Sequence, residues 1–248
     1  MARAKSKALV PKQSNFLALS PALQESADDL FSPKEIKDSM GKQSMNDLEK
    51  IKVPSGGTTS WEVIGKNGEE EMVKALEVVV VAAQDVRVFY ATKYSGGNEP
   101  PDCASLDCIT GIVGENAPEE ITGDCASCPK SQWGSAVDED GNPTDGKACN
   151  ERKMCLIYRP EDMVPIVLSI PPSSLKEVSR TFSRIAVARH RPYWGCVFSL
   201  TLSKEKNKRG IVYSQVQASF VRDLTAEEVA VVRDIREQFV PTVDAIAD

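Results

Sequence analysis

The sequence predicts a mainly β domain of the α+β class: a small barrel with a long polar insertion and two helices. Three observations carry this. Short runs rich in Val, Ile, Phe and Tyr recur between turn residues, as strands do. A stretch of about 55 residues, 97–151, has loop composition and holds five of the seven cysteines. Two segments in the last third carry apolar residues at helical spacing, each opened by a Ser/Thr-x-x-Glu signature.

In chain order, residues 1–55 mix Ser, Lys, Asp and Pro with short apolar clusters and read as a mobile tail, with a short helix near MNDLEKI. The first 24 residues hold Arg3, Lys5, Lys7 and Lys12 and no acid, a flexible basic arm rather than a signal or transit peptide. The domain proper is expected over 56–240, with a short tail at 241–248. Strands are expected at WEVIG, at KALEVVVVAAQ, where Val78–Val81 reads as buried on both faces, and at DVRVFYATKY. After the insertion come strands MCLIYRP and MVPIVLSIP. A helix over PPSSLKEVSRTFSRIAVAR follows, opened by a capping box of Ser174 and Glu177. A hairpin of YWGCVFSLTLSK and RGIVYSQVQASFV precedes the last helix, whose capping box is Thr225 and Glu228.

Hydrophobic residues make up 41% of the chain and charged ones 27%, the balance of a soluble globular protein. No apolar run approaches the roughly 20 residues that span a bilayer, so no membrane partner is expected. Without an export signal the chain is placed in a reducing cytoplasm, where structural disulfides are rare.

That leaves redox chemistry or a metal for the Cys-x-x-Cys of Cys125 and Cys128. A thioredoxin-like pair opens a helix after a buried strand, whereas this pair lies in NAPEEITGDCASCPKSQWGS, a loop. Two thiolates spaced by two residues can wrap one zinc ion on a tight turn. Cys149, in a polar turn after Gly146, supplies a third ligand. The fourth is Cys103 or Cys108, with Cys103 preferred because it follows the turn-forming Pro100-Pro101-Asp102. Cys155 opens an apolar strand and Cys196 lies in another, so both read as small core hydrophobes, with Cys155 kept as an alternative ligand. One structural Zn2+ held by four cysteines leaves no open position for catalysis.

The net charge of −6 hides a strong asymmetry. Residues 173–222 carry ten Lys or Arg against two acids, a net +8, and residues 97–151 carry twelve acids against two lysines, a net −10. An anionic partner would be drawn to one side. Lys176, Arg180 and Arg184 recur every four residues on one helical face, opposite the stripe Leu175, Val178, Phe182, Ile185. Arg189, Arg191, Tyr193 and Trp194 follow. Arg87, Phe89 and Lys93 share a strand face, and the hairpin turn carries Lys204, Lys206, Lys208 and Arg209. Cations beside flat aromatics suit single-stranded nucleic acid, since cations neutralise phosphates and rings stack on bases.

The ordered elements PPDCASLDC, CASCPKSQWGS, GKAC, IVLSIPPSSLKEV and LTAEEV resemble phage- and plasmid-borne, zinc-containing, OB-fold single-stranded-DNA-binding proteins. The resemblance covers roughly residues 60 to 240. It implies an OB-like barrel with a zinc loop, ligands at Cys103, Cys125, Cys128 and Cys149, and a role in DNA replication or recombination beside the proteins of those processes, in the host cytoplasm. The ending PTVDAIAD holds only Asp244 and Asp248, so recruitment through an acidic C-terminus is not predicted.

An enzyme is not expected. The single histidine, His190, lies between two arginines without a nucleophile motif, and no Gly-x-x-x-x-Gly-Lys loop is present. Asp138, Glu139 and Asp140 read as a solvated turn. The alternative function is a zinc-braced protein-interaction factor, for example one that binds a polymerase, with no direct contact to DNA.

Overall fold

The computed structural model describes residues 48–65, 68–92, 100–138, 140–159, 165–207 and 210–244, with the backbone alone over 238–244. Residues 1–47 of the expected N-terminal tail (1–55), Lys93, Lys208 and Arg209 lie outside the described residues.

The fold is mainly β, with one curled sheet forming a half barrel. Its spine is β4 (Ala75–Phe89), a single strand of 15 residues where two were expected. Alternation explains the double burial of its valines. Val78 and Val80 enter one core with Phe198 and Leu168, while Val79 and Val81 enter a second with Leu156 and Val197. A register shift between Val80 and Ala82 marks a bulge, which increases the local twist and lets so long a strand follow the curl.

Around β4, β7 (Asn150–Tyr158) pairs along one edge, then β8 (Ile166–Ile170), then β1 (Lys50–Lys52) in parallel. The other edge takes β9 (Cys196–Lys206) at the start of β4 and β5 (Cys103–Ser105) at its end. Beyond β5 lies β6 (Ile112–Val113), and beyond β9 lies β10 (Val212–Asp223), so the predicted hairpin forms. Residues 48–55, expected in a mobile tail with a short helix near MNDLEKI, instead join the fold, and Lys50–Lys52 form a strand. Leu48 and Ile51 are buried, and Ser55 makes an antiparallel bridge to Tyr213 that draws the two ends of the curl together. A separate hairpin, β2 (Trp61–Ile64) with β3 (Glu70–Val73), drops Trp61 into the first core, where its Nε1 donates to Leu200 O at 3.0 Å.

Two helices cover the two cores. Helix α1 (Pro172–Arg189) starts with Pro at its first position, where the missing N–H costs nothing, and ends on His190 in the left-handed region (φ 52°). Its predicted stripe turns inward: Val178, Phe182 and Ile185 are buried and Leu175 packs beside them. The capping box expected of Ser174 and Glu177 does not form. The helix starts three residues earlier, with Pro171 at the N-cap position and no side-chain cap, which puts Ser174 inside the first turn, fully buried. There Ser174 Oγ accepts the Val216 N–H of β10 at 2.9 Å, and Thr181 Oγ1 donates to Ala218 O at 3.2 Å. Helix α1 thus satisfies two backbone groups on the open edge of β10, Val216 N–H and Ala218 C=O. Helix α2 (Ala226–Asp244) closes the second core with Val229, Val232 and Ile235. Its predicted capping box is present in both directions: Glu228 N donates to Thr225 Oγ1 at 3.2 Å, and Thr225 N donates to Glu228 Oε2 at 2.8 Å. Among the described residues no helix is long and apolar enough to cross a membrane.

Candidate functional site

The insertion grows from the end of β4, and strand register sets its geometry. Phe89 pairs with Cys103 on β5, while Val88 pairs with Asn150 on β7, next in sequence to Cys149. Two cysteines 46 positions apart are thereby brought to either side of one strand. The Cys125–Cys128 turn is laid over them by backbone bonds: Cys125 N donates to Ile109 O (3.0 Å), Cys128 N to Asp124 O (3.0 Å) and Cys149 N to Lys130 O (2.8 Å). Asp124 shapes the turn by accepting from Ala126 N at 3.1 Å, and a 3-10 turn, Pro129–Ser131, leaves it.

Cys103, Cys125, Cys128 and Cys149, all buried, line one cavity together with Arg87, Phe89, Ser105, Ile121, Gly123, Asp124 and Ser131. Cys108 does not line it. That residue sits at φ 62°, in the left-handed region, and burial pushes its thiol up to about 11. Burial, then the neighbouring Cys125 and Cys128 sulfurs, push the Cys103 thiol up. Burial also pushes Cys149 up, opposed by the Ser131 hydroxyl beside it. Ser131 is 5% exposed, and its Oγ has no hydrogen-bond partner of normal geometry. One glycine leaves room for a sulfur, and a second lets two backbone segments approach closely. A Cβ on Gly111 would lie 2.8 Å from Cys103 Sγ, and Gly123 adopts φ 85° with Gly111 O 2.8 Å from its would-be Cβ. Among the described residues no group of three or more His, Cys, Asp or Glu side chains is arranged so that it could hold a metal ion as placed. What is present is a small pocket whose lining includes four thiols.

Cys155 and Cys196 are elsewhere, both in the first core. The thiols of both are raised by burial, that of Cys196 to about 11 with Asp223 adding to the effect.

The expected nucleic-acid surface is only partly available. Phe89 is 5% exposed and packs against Cys103, Ile121 and Cys149, so it offers no face to a base. Tyr193 is half-buried and stacks on Phe182 with centroids 5.1 Å apart. Trp194 packs against the second core, with the Arg236 and Arg233 guanidinium carbons 5.2 and 5.9 Å from its ring centroid. Arg189 chelates Asp223 and lies 4.3 Å over Phe220, and Arg191 approaches the same carboxylate at 3.8 Å. Arg87 pairs with Glu151. Sequence reasoning missed these assignments because each depends on a partner distant in the chain.

The helical row survives. Lys176, Arg180 and Arg184 are exposed on α1, with Arg180 held by Glu177 at 3.1 Å. Lys204 and Lys206 are exposed at the end of β9, paired in register with Ser214 and Val212 of β10. Among the described residues Lys176, Arg184, Lys204 and Lys206 enter no ion pair. A feature not singled out from sequence is the apolar surface of the insertion. Trp133 is 78% exposed with Lys147 Nζ 5.1 Å from its ring centroid, and Ile109, Ile112 and Val137 are exposed as well.

Comparison with protein-family models, curated proteins and solved structures found no match for this chain.

Proposed function

We propose that the protein binds single-stranded DNA without sequence selectivity, through phosphate contacts from α1 and the β9–β10 hairpin. One observation supports this above others. The exposed row Lys176, Arg180, Arg184 lies on a helix fastened by Ser174 and Thr181 to β10, the strand whose ladder also places Lys204 and Lys206. Cations on rigid elements can follow a phosphate backbone, and their binding is salt-dependent because it releases counterions. With Phe89, Tyr193 and Trp194 engaged in packing, base stacking has a smaller part in this interface than the aromatic count suggests. An OB-like barrel is the finer fold we propose; the curl of the sheet favours it, although eight strands exceed the five of that fold. Replication or recombination of phage or plasmid DNA in a reducing host cytoplasm is the setting that fits.

The pocket thiols suit one zinc ion. The donors are all soft sulfur, the small neighbours leave space, and the buried Ser131 hydroxyl is free to donate to a thiolate. Cys103, Cys125, Cys128 and Cys149 would hold the ion, which would supply folding energy to an insertion that has little core of its own. The residues of the insertion then act by position alone.

A labelled oligothymidylate titrated at several salt concentrations tests the binding. Arg180→Ala with Arg184→Ala is expected to weaken binding and to flatten the log–log salt slope by roughly one to two units, at about 0.7 per lost contact. An unchanged slope and affinity, or equal affinity for duplex, would refute it. In that event the exposed Trp133 and its apolar neighbours favour the second reading, a zinc-braced protein-interaction factor.

A further inference from the structure

Arg87 was expected to contact nucleic acid, and its surroundings assign it to the thiol pocket instead. It occupies the position on β4 that pairs with Ser105 of β5 on one side and Glu151 of β7 on the other. It therefore lies between the strand that carries Cys103 and the strand that begins after Cys149. Its Nη2 lies 3.3 Å from Glu151 Oε2, and its Nη1 donates to Cys125 O at 3.3 Å. The side chain is 18% exposed and forms part of the pocket wall.

We propose that Arg87 is the positioning residue of the metal centre, a role that rests on the zinc reading above. Four thiolates around one divalent ion leave two negative charges in a buried pocket, and an uncompensated buried charge is strongly unfavourable. The acidic insertion, at net −10, makes the local balance worse. Of its two lysines, Lys130 pairs with Glu120 at 3.1 Å with its Nζ 5.9 Å from the Phe89 ring centroid, Lys147 lies over Trp133, and neither lines the pocket. The guanidinium is thus the cation in the wall itself. Its planar fork does two things that a point charge cannot do together. One arm takes Glu151, which fixes the side chain. The other takes the Cys125 carbonyl, which fixes the turn presenting Cys125 and Cys128. Groups just outside the ligands act in this way on metal affinity, by 10–100-fold where they are removed.

The test uses the full-length protein with Arg87→Gln and Arg87→Lys. Zinc affinity is read by competition with a chromophoric chelator, and geometry by the thiolate-to-metal charge-transfer and d–d bands after Co2+ replacement. Arg87→Gln is expected to weaken zinc affinity about 10–100-fold and to alter the cobalt d–d bands, and Arg87→Lys to recover part of the affinity. Zinc-loaded Arg87→Gln is expected to bind the oligonucleotide as the parent does. Affinity within threefold of the parent in both variants would overturn the proposal. So would equal destabilisation of the zinc-stripped and zinc-loaded forms by Arg87→Gln, which marks a structural role alone. Loss of oligonucleotide binding with zinc affinity intact would return Arg87 to the nucleic-acid interface. If the unaltered protein yields neither zinc nor a cobalt–thiolate band, the metal reading itself falls, a result distinct from failure of the Arg87 role.

Discussion

Replacing Glu228 by Gln is expected to destabilise the fold well beyond the loss of an ordinary surface charge. Glu228 is 2% exposed, at the start of the helix that closes the second core. Its two oxygens accept from Arg222 Nη1 and Nη2, each at 2.8 Å, and Oε2 also accepts the Thr225 N–H at 2.8 Å. Gln keeps the shape, but its amide NH2 would point a donor at a guanidinium that has only donors. Removing one partner of a buried pair costs about 3–5 kcal/mol, and Arg222, whose side chain is 23% exposed, recovers some hydration. The expected loss is about 2–4 kcal/mol. At about 2–4 °C per kcal/mol in a domain of this size, the midpoint falls by roughly 4–16 °C. The pH dependence has a definite sign. Burial alone would raise the Glu228 pKa, but the Arg222 hydrogen bonds and the Thr225 N–H outweigh it and hold the carboxyl below its usual range. The stabilisation is therefore complete above the unfolded value of about 4.3 and is lost as pH falls through the lower folded value. Urea unfolding followed by circular dichroism at neutral pH, then at falling pH, measures both effects. The reasoning fails if Glu228→Gln is neutral at pH 7. It fails equally if the gap from the parent widens on acidification, because a protonated Glu228 should resemble Gln.

Three further outcomes are expected. Metal analysis of freshly purified protein should give about one zinc per chain; Cys125→Ser should release it and lower the thermal midpoint, whereas Cys196→Ser, in the first core, should keep it. Ser174→Ala leaves the buried Val216 N–H without an acceptor and should cost about 1–3 kcal/mol in urea unfolding. Trp194→Ala should lower stability by about 3–5 kcal/mol while leaving the salt slope of oligonucleotide binding unchanged, as seen by calorimetry and titration, because the ring packs against the second core.

Local pattern was enough wherever the deciding interaction lies within a few residues. The four valines at 78–81, the β9–β10 hairpin and the inward stripe of α1 follow from alternation and helical period. The Thr225–Glu228 box spans four residues, and it forms as its spacing predicts. Loop chemistry also singled out Cys125, Cys128 and Cys149 and preferred Cys103 to Cys108, and these four line one pocket. Tertiary structure decided the rest, because the partners lie far apart in the chain. Ser174 carries a capping signature, yet the edge of β10, 42 positions on, claims its hydroxyl. Arg189 meets Asp223 across 34 positions and Arg87 meets Glu151 across 64, so cations that look free in sequence are paired. Phe89 and Trp194 read equally well as stacking platforms or as core. Burial chose between those roles, and burial belongs to the folded sheet rather than to any local stretch of residues.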